Sequence, residues 1–255
     1  MAEWVLQAKQ GVKYYELDFQ ATGHNNLLCL FFTKIGGLKF NIEDEDKFAS
    51  DIDWVKENFH LPNLQYLKQI HSNKILYIAD YNFNLDSGDG LYTDQPEIFL
   101  SVRTADCLPI YFIVPDKRIA GLVHSGWQGT LKQISLAMIR TIQERYQVKP
   151  EQISYAFGPS IGQCCYEIKQ DTASLFKQLI KSYKIEQAII ERDKKIFLDI
   201  KLINQKIFDT IGLNKITDIN LCSCCYEEQF YSARRGDKLA RNLSLIGFQN
   251  KDIRN

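Results

Sequence analysis

The stretch Thr104-Ala105-Asp106-Cys107-Leu108-Pro109-Ile110-Tyr111-Phe112-Ile113-Val114-Pro115-Asp116-Lys117-Arg118-Ile119-Ala120-Gly121-Leu122-Val123-His124-Ser125-Gly126-Trp127 decides how the chain reads. Two apolar runs, Leu108–Val114 and Ile119–Val123, flank the turn Pro115-Asp116-Lys117-Arg118. Runs of that length, rich in Ile, Val and aromatics, predict a β-hairpin with a short loop. The fold point falls near residue 116, and nearly equal arms lead from it to Cys107 and His124. The hairpin therefore brings those side chains to one end, within about two residues of register, where facing Cβ atoms lie roughly 5 Å apart. That spacing suits a thiolate and an imidazole on one metal ion, with Zn–S about 2.3 Å and Zn–N about 2.0 Å. It suits a nucleophilic Cys–His pair equally well.

A third donor lies upstream. Lys68-Gln69-Ile70-His71-Ser72 precedes the apolar run at Ile75, which puts His71 in a strand-end loop, where functional residues gather. His71, Cys107 and His124 together make three ligands with an open fourth position, the layout of a catalytic zinc. Because the three are scattered along the chain, spacing alone gives equal weight to a plainer reading, a buried thiol and core histidines.

Around this hairpin, strands are predicted at Leu27–Phe32, Ile75–Ala79, Ile98–Val102, Ile153–Phe157 and Ile216–Leu221. Helices are predicted at Lys47–Phe59, Thr130–Tyr146, Thr172–Tyr183 and Ile200–Ile211. In the second, Leu131, Ile134, Met138 and Ile142 form one apolar stripe. The last is bracketed by Asp199 as N-cap and Gly212 as C′ residue. A few helices among many short strands define a layered α+β or α/β chain, and no repeat or Pro/Gly-rich linker divides it.

Composition narrows the function classes. Thirty-one Lys and Arg balance thirty-one Asp and Glu, so there is no electrostatic reason for broad nucleic-acid or membrane-surface binding. Met1-Ala2-Glu3-Trp4 leads into no apolar signal region, and no run approaches the roughly 20 residues a membrane helix needs. A cytoplasmic protein is expected. The four histidines, His24, His60, His71 and His124, include no H-x-H pair and are too few for a multicopper centre, so any metal is a single ion with mixed ligands.

The seven cysteines are too few for a disulfide scaffold. Cys164-Cys165 and Cys222-Ser223-Cys224-Cys225 suggest a second zinc or a redox pair, but they contain one C-x-x-C with no second to complete a zinc knuckle, and buried structural thiols are the preferred reading. Arg234-Arg235, after Phe230-Tyr231-Ser232, and Lys34, before Ile35-Gly36-Gly37, are candidate anion sites. The plain alternative for both is a solvated surface.

Six motifs, in order, carry a resemblance. They are Gln69-Ile70-His71, Asp89-Gly90-Leu91-Tyr92-Thr93, Thr104 to Pro109, His124-Ser125-Gly126-Trp127-Gln128-Gly129, Gly158-Pro159-Ser160-Ile161-Gly162 with Cys165-Tyr166-Glu167, and Phe230-Tyr231-Ser232-Ala233-Arg234-Arg235. Together they resemble the YfiH-type laccase-domain family, labelled first as polyphenol oxidases and later as purine nucleoside phosphorylases. The resemblance implies one α/β/α-layered domain with a mixed sheet over residues 1–255. It implies a zinc held by His71, Cys107 and His124, with copper as the other metal such donors bind tightly.

The implied substrates are phosphate with adenosine, inosine, guanosine or methylthioadenosine, and adenosine deamination is implied as well. On this reading Asp106 and Glu167 are candidate acid/base or orienting groups. Lys34, Gln69, Arg234 and Arg235 face substrate or phosphate, and Trp127 or Tyr166 stacks on the base. The chain departs from the family in three places: Lys34 replaces the Arg of T-R-x-G-G, and Ser125 and Gln128 replace the Ala and Arg of H-A-G-W-R-G. The missing Arg removes a fixed anion fork, with Arg103 the available replacement. The partners are small molecules, with no nucleic acid or membrane, in a monomer or dimer. Two other classes compete: a hydrolase or deamidase using Cys107 and His124, and a non-enzymatic protein with a structural zinc closed by a fourth ligand such as Cys164 or Cys165.

Overall fold

Pro109 pairs with His124 and Leu108 with Ser125, so the hairpin closes in the predicted register, with Cys107 and His124 two residues apart along the ladder. The computed structural model describes residues 2–19, 26–41, 43–81 and 86–250; His24 lies outside them. The hairpin strands, β8 (Leu108–Val114) and β9 (Ile119–Ser125), are buried along their whole length. Their short turn ends with Arg118 in the left-handed region.

These two strands sit at the centre of a six-stranded mixed sheet. Beyond β8 lie β10 (Ser154–Phe157) and β14 (Asn214–Asp218), and beyond β9 lie β6 (Gly90–Thr93) and β5 (Ile75–Tyr77). A second six-stranded sheet runs in the order β1 (Glu3–Lys9), β2 (Val12–Asp18), β3 (Leu27–Phe32), β15 (Asn242–Phe248), β7 (Ile98–Thr104) and β4 (Asn63–Gln65). A small third sheet joins β11 (Glu167–Ile168), β13 (Lys195–Leu198) and β12 (Ile189–Arg192).

Alternation along the strands explains the layering. In β8, Ile110, Phe112 and Val114 face the helices α3 (Ile134–Tyr146), α4 (Gln170–Tyr183) and α5 (Ile200–Ile211). Tyr111 and Ile113 face the other way and pack with Leu100, Val102 and Ile246 of the second sheet. That sheet in turn presents Leu28, Leu30 and Phe32 to α1 (Glu45–Phe59). A strand covered on both faces reads as an unbroken apolar run, as Leu27–Phe32 and Leu108–Val114 do.

The expected mixed α/β class is what the fold is. The layers number four, α/β/β/α, rather than three, because a second sheet covers the face that a helix layer was expected to cover. The predicted 130–146 helix is divided: α2 (Trp127–Leu131) ends at Lys132, and Gln133 at φ 57 turns the chain before α3 begins. No helix among the described residues is long and apolar enough to cross a membrane.

Candidate functional site

The start of β8 and the end of β9 carry Cys107 and His124, and the loop before β5 carries His71. One donor atom from each lies within 4.8 Å of the others, and the imidazole rings of His71 and His124 stand 4.9 Å apart. His124 is buried, Cys107 half-buried and His71 exposed, so the group opens to one side. Among the described residues it has no fourth protein donor.

Asp89 organises two of the three. Its carboxylate accepts the backbone N–H groups of Ile70 at 3.3 Å, His71 at 3.0 Å and Ser72 at 2.6 Å, and the Ser72 hydroxyl at 2.7 Å. This ring of donors holds His71 at φ 55, a backbone region costly for most non-glycine residues. The same carboxylate bonds His124 Nδ1 at 2.9 Å, which leaves Nε2 as that ring's free donor. Burial would raise the Asp89 pKa, but bonds from His124 and Ser72 hold it well below the usual carboxylate range. In the sequence Asp89 opens the Asp89–Thr93 motif, and its one local signal there is the Asp-Gly step.

Electrostatics favour a thiolate at Cys107. Burial opposes ionisation, yet the adjoining His124 and His71 outweigh it and lower the thiol to about 6. Burial likewise opposes charge on His124, but Cys107 and Asp89 raise it to about 9. Gly126 completes the fit: a Cβ there would stand 2.8 Å from Cys107 Sγ and 3.4 Å from the His71 ring. A thiolate, two imidazoles, one carboxylate (Asp89) that positions them and a backbone bared for close approach form a donor set suited to a single borderline-soft ion.

The group lies in a cleft of about 330 Å³. Arg103, Arg241, Lys238, Asn41 and Glu43 are among the residues that line it. Arg103 Nε is buried with no hydrogen-bond partner among the described residues, and its guanidinium stacks over Phe48 at 5.3 Å. Burial and then Arg241 lower its pKa to about 10, so it stays charged at neutral pH. Two guanidinium groups and an ammonium against one carboxylate, Glu43, leave the lining net cationic, which suits an anion.

The other expected site residues fall into different places. Gln69 lines the cleft, but its amide is committed to both the N–H and the carbonyl of Arg103 at 2.8 Å, so it fixes the wall. Asp106, at φ 92, accepts the Ser223 hydroxyl and the Arg234 N–H, both at 2.7 Å, which fixes the start of β8 next to Cys107. Tyr166 carries the Arg234 guanidinium 5.4 Å from its ring centre and is bonded by the Trp127 backbone. Trp127 itself packs against the helix-side core as the first residue of α2.

Four of the expected residues lie outside the cleft lining. The Glu167 carboxylate is half-exposed in an ion pair with Lys195 at 2.9 Å, because β11 turns it outward. The Arg234 guanidinium donates to the carbonyls of Cys165 and Glu167, and that of Arg235 to the carbonyls of Ser223, Cys224 and Phe230. These arginines clamp loops, and the cleft lining includes neither. Lys34 lies in a turn closed by its own carbonyl and Gly37 N–H, also outside that lining. The cationic wall comes instead from Arg103, Lys238 and Arg241, which only packing assembles.

This scaffold and cleft define a laccase-domain type of protein. The chain belongs to the family described as multi-copper polyphenol oxidoreductase laccase, which it matches over residues 37–249. It is 28% identical to the purine nucleoside phosphorylase YlmD of Bacillus subtilis, covering 91% of this chain and 93% of that one. It is 32% identical to a purine nucleoside phosphorylase of Clostridium acetobutylicum, covering 94% and 99%. The crystal structure of YlmD from Geobacillus stearothermophilus superposes with a TM-score of 0.85 at 26% identity, over 97% of this chain and all of that one.

Proposed function

We propose that this protein is a zinc-dependent purine nucleoside phosphorylase, with residues 1–255 acting as one catalytic domain. The observation that carries the reading is the shared cleft: a His–Cys–His donor group and a wall of three cations open into the same space. Relatives bearing the phosphorylase name over most of their length support it.

In the proposed reaction a phosphate oxygen forms a bond to C1′ of the nucleoside. The C1′–N9 bond breaks, its electron pair leaves with the purine, and a proton goes to the base nitrogen. Arg103, Arg241 and Lys238 hold the phosphate dianion, and positioning it against C1′ supplies much of the rate. Asn41 and Glu43 offer an amide and a carboxylate to the purine edge. Asp89 holds His71 and His124 in place, while Asp106 and Gln69 act as positioning residues. A zinc ion held by His71, Cys107 and His124 would supply Lewis-acid polarisation. Adenosine, inosine, guanosine and methylthioadenosine are the proposed substrates, and deamination of adenosine by water, releasing ammonia, is a second proposed reaction.

One observation favours another reading. Cys107, His124 and Asp89 also have the order of a cysteine-hydrolase triad: lowered thiol, raised imidazole and orienting carboxylate. His71 on the same sulfur favours a metal. Zinc content with nucleoside turnover separates the two. A zinc-free protein that cleaves esters or amides and is inactivated by iodoacetamide at Cys107 overturns the phosphorylase reading.

A further inference from the structure

Outside the cleft, the cysteines expected to be buried packing thiols do something else. Cys164 and Cys225 are exposed, Cys165 and Cys222 are half-buried, and all four sulfurs converge. Every pair of these sulfurs lies within 4.8 Å, with Cys165 and Cys225 at 3.3 Å and Cys164 and Cys225 at 3.5 Å. We propose that Cys164, Cys165, Cys222 and Cys225 form a second, structural metal site for one tetrahedral zinc ion.

The geometry points to a single ion. A tetrahedron with Zn–S bonds of about 2.3 Å has S···S edges of about 3.8 Å, inside the observed span. Sulfurs this close leave no room for a multi-iron cluster between them. The surroundings are those of a thiolate site. The Gly162 N–H donates to Cys222 Sγ at 3.2 Å, and a Cβ at Gly162 would crowd Cys164 Sγ at 3.2 Å. Three arginines brace the loops through their carbonyls: Arg192 on Cys164 at 3.0 Å, Arg234 on Cys165 at 3.3 Å and Arg235 on Cys224 at 2.9 Å. They set positive charge beside a tetrathiolate centre of net charge about −2. A surface cavity bordered by Gly162, Cys164, Cys222 and Cys225 supplies the entry path.

The site has a structural consequence. It ties the turn after β10 to the loop between β14 and β15. That second loop supplies the Ser223 hydroxyl and the Arg234 N–H that hold Asp106, and it continues into Lys238 and Arg241 of the cleft. The ion therefore staples the cleft wall and takes no part in chemistry.

Metal content and cobalt spectroscopy test this independently of any nucleoside assay. The wild-type protein, purified with zinc, should hold about two zinc ions per chain, and Cys222→Ala or Cys225→Ala should lose about one. His71→Ala should keep the tetrathiolate ion, and after cobalt exchange it should still show tetrahedral d–d bands and strong thiolate-to-cobalt charge transfer. Should the cysteine variants fail to fold, the wild type alone decides. Its four thiols should resist iodoacetamide until a chelator strips the zinc. A His71→Ala protein without metal, immediate alkylation of all four thiols in zinc-loaded wild type, or a disulfide among them would overturn the proposal.

Discussion

The Asp89 carboxylate bonds His124 Nδ1 at 2.9 Å through the same oxygen that accepts the His71 backbone N–H at 3.0 Å. One buried side chain thus orients the His124 imidazole and fixes the backbone that carries His71. Asp89→Asn keeps the shape but loses the charge and leaves one acceptor where there were two. Affinity for zinc should fall about 10–100-fold, the usual effect of losing a ligand's orienting partner. A chelator-competition titration measures it; unchanged affinity would remove Asp89 from the site.

Gly126 has an ordinary φ of −80, so alanine there meets no backbone strain. The obstacle is spatial, since the new Cβ would stand 2.8 Å from Cys107 Sγ. Gly126→Ala should push the thiolate aside, weaken zinc binding and lower turnover while leaving the melting temperature of the metal-free protein near wild type. The chelator titration beside a thermal melt checks both halves.

The pH dependence of zinc binding follows from opposite shifts. Without an ion, Cys107 ionises above about 6, while His124 keeps its proton up to about 9. Between those values the pair is thiolate and imidazolium, and a metal must displace the His124 proton. Affinity should therefore rise with pH, by at most about tenfold per unit, and level off near 9 rather than at the ordinary histidine value near 6.5. With the four-cysteine site already loaded, calorimetry in buffers of different ionisation enthalpy should find about one proton released per zinc entering the cleft at neutral pH. A pH-independent affinity across that range contradicts the assignment.

Arg241 lines the cleft while its Nη1 also donates to the carbonyls of Asp237 and Ala240, whereas Arg235 lies outside the lining, so the two should differ in KM. Arg241→Ala removes a cation from the cleft, and KM for phosphate should rise about tenfold or more, the worth of one charge-assisted bond. Arg235→Ala removes a clamp on three carbonyls, so it should cost about 1–3 kcal/mol and lower the Tm by several degrees. Steady-state kinetics and melting curves on both variants distinguish a substrate contact from a loop clamp.

What was legible in the sequence is what local pattern encodes. Leu27–Phe32, Leu108–Val114 and Ile200–Ile211 are found where predicted, because unbroken apolar runs and a capped amphipathic stripe need no distant partner to be recognised. The hairpin register brought Cys107 and His124 together for the same reason. The β1–β2 hairpin is not legible in the apolar pattern, although Gln10 and Gly11, both at positive φ, make the tight turn that joins it. Its exposed outer strand breaks the apolar run that marks a core strand. Strand β15 crosses the middle of its sheet, pairing with β3 and β7 from far along the chain. Arg103 and Arg241 line one cleft only because that pairing exists, and the carbonyl partners of Arg234 are likewise distant in sequence.

The central claim is that the cleft transfers a ribosyl group to phosphate. Zinc-loaded protein incubated with inosine, with phosphate varied from none to saturation, tests it through free base and ribose 1-phosphate measured together. The account predicts equal amounts of the two products and no base release without phosphate. Base released at an undiminished rate without phosphate, accompanied by free ribose, would contradict it.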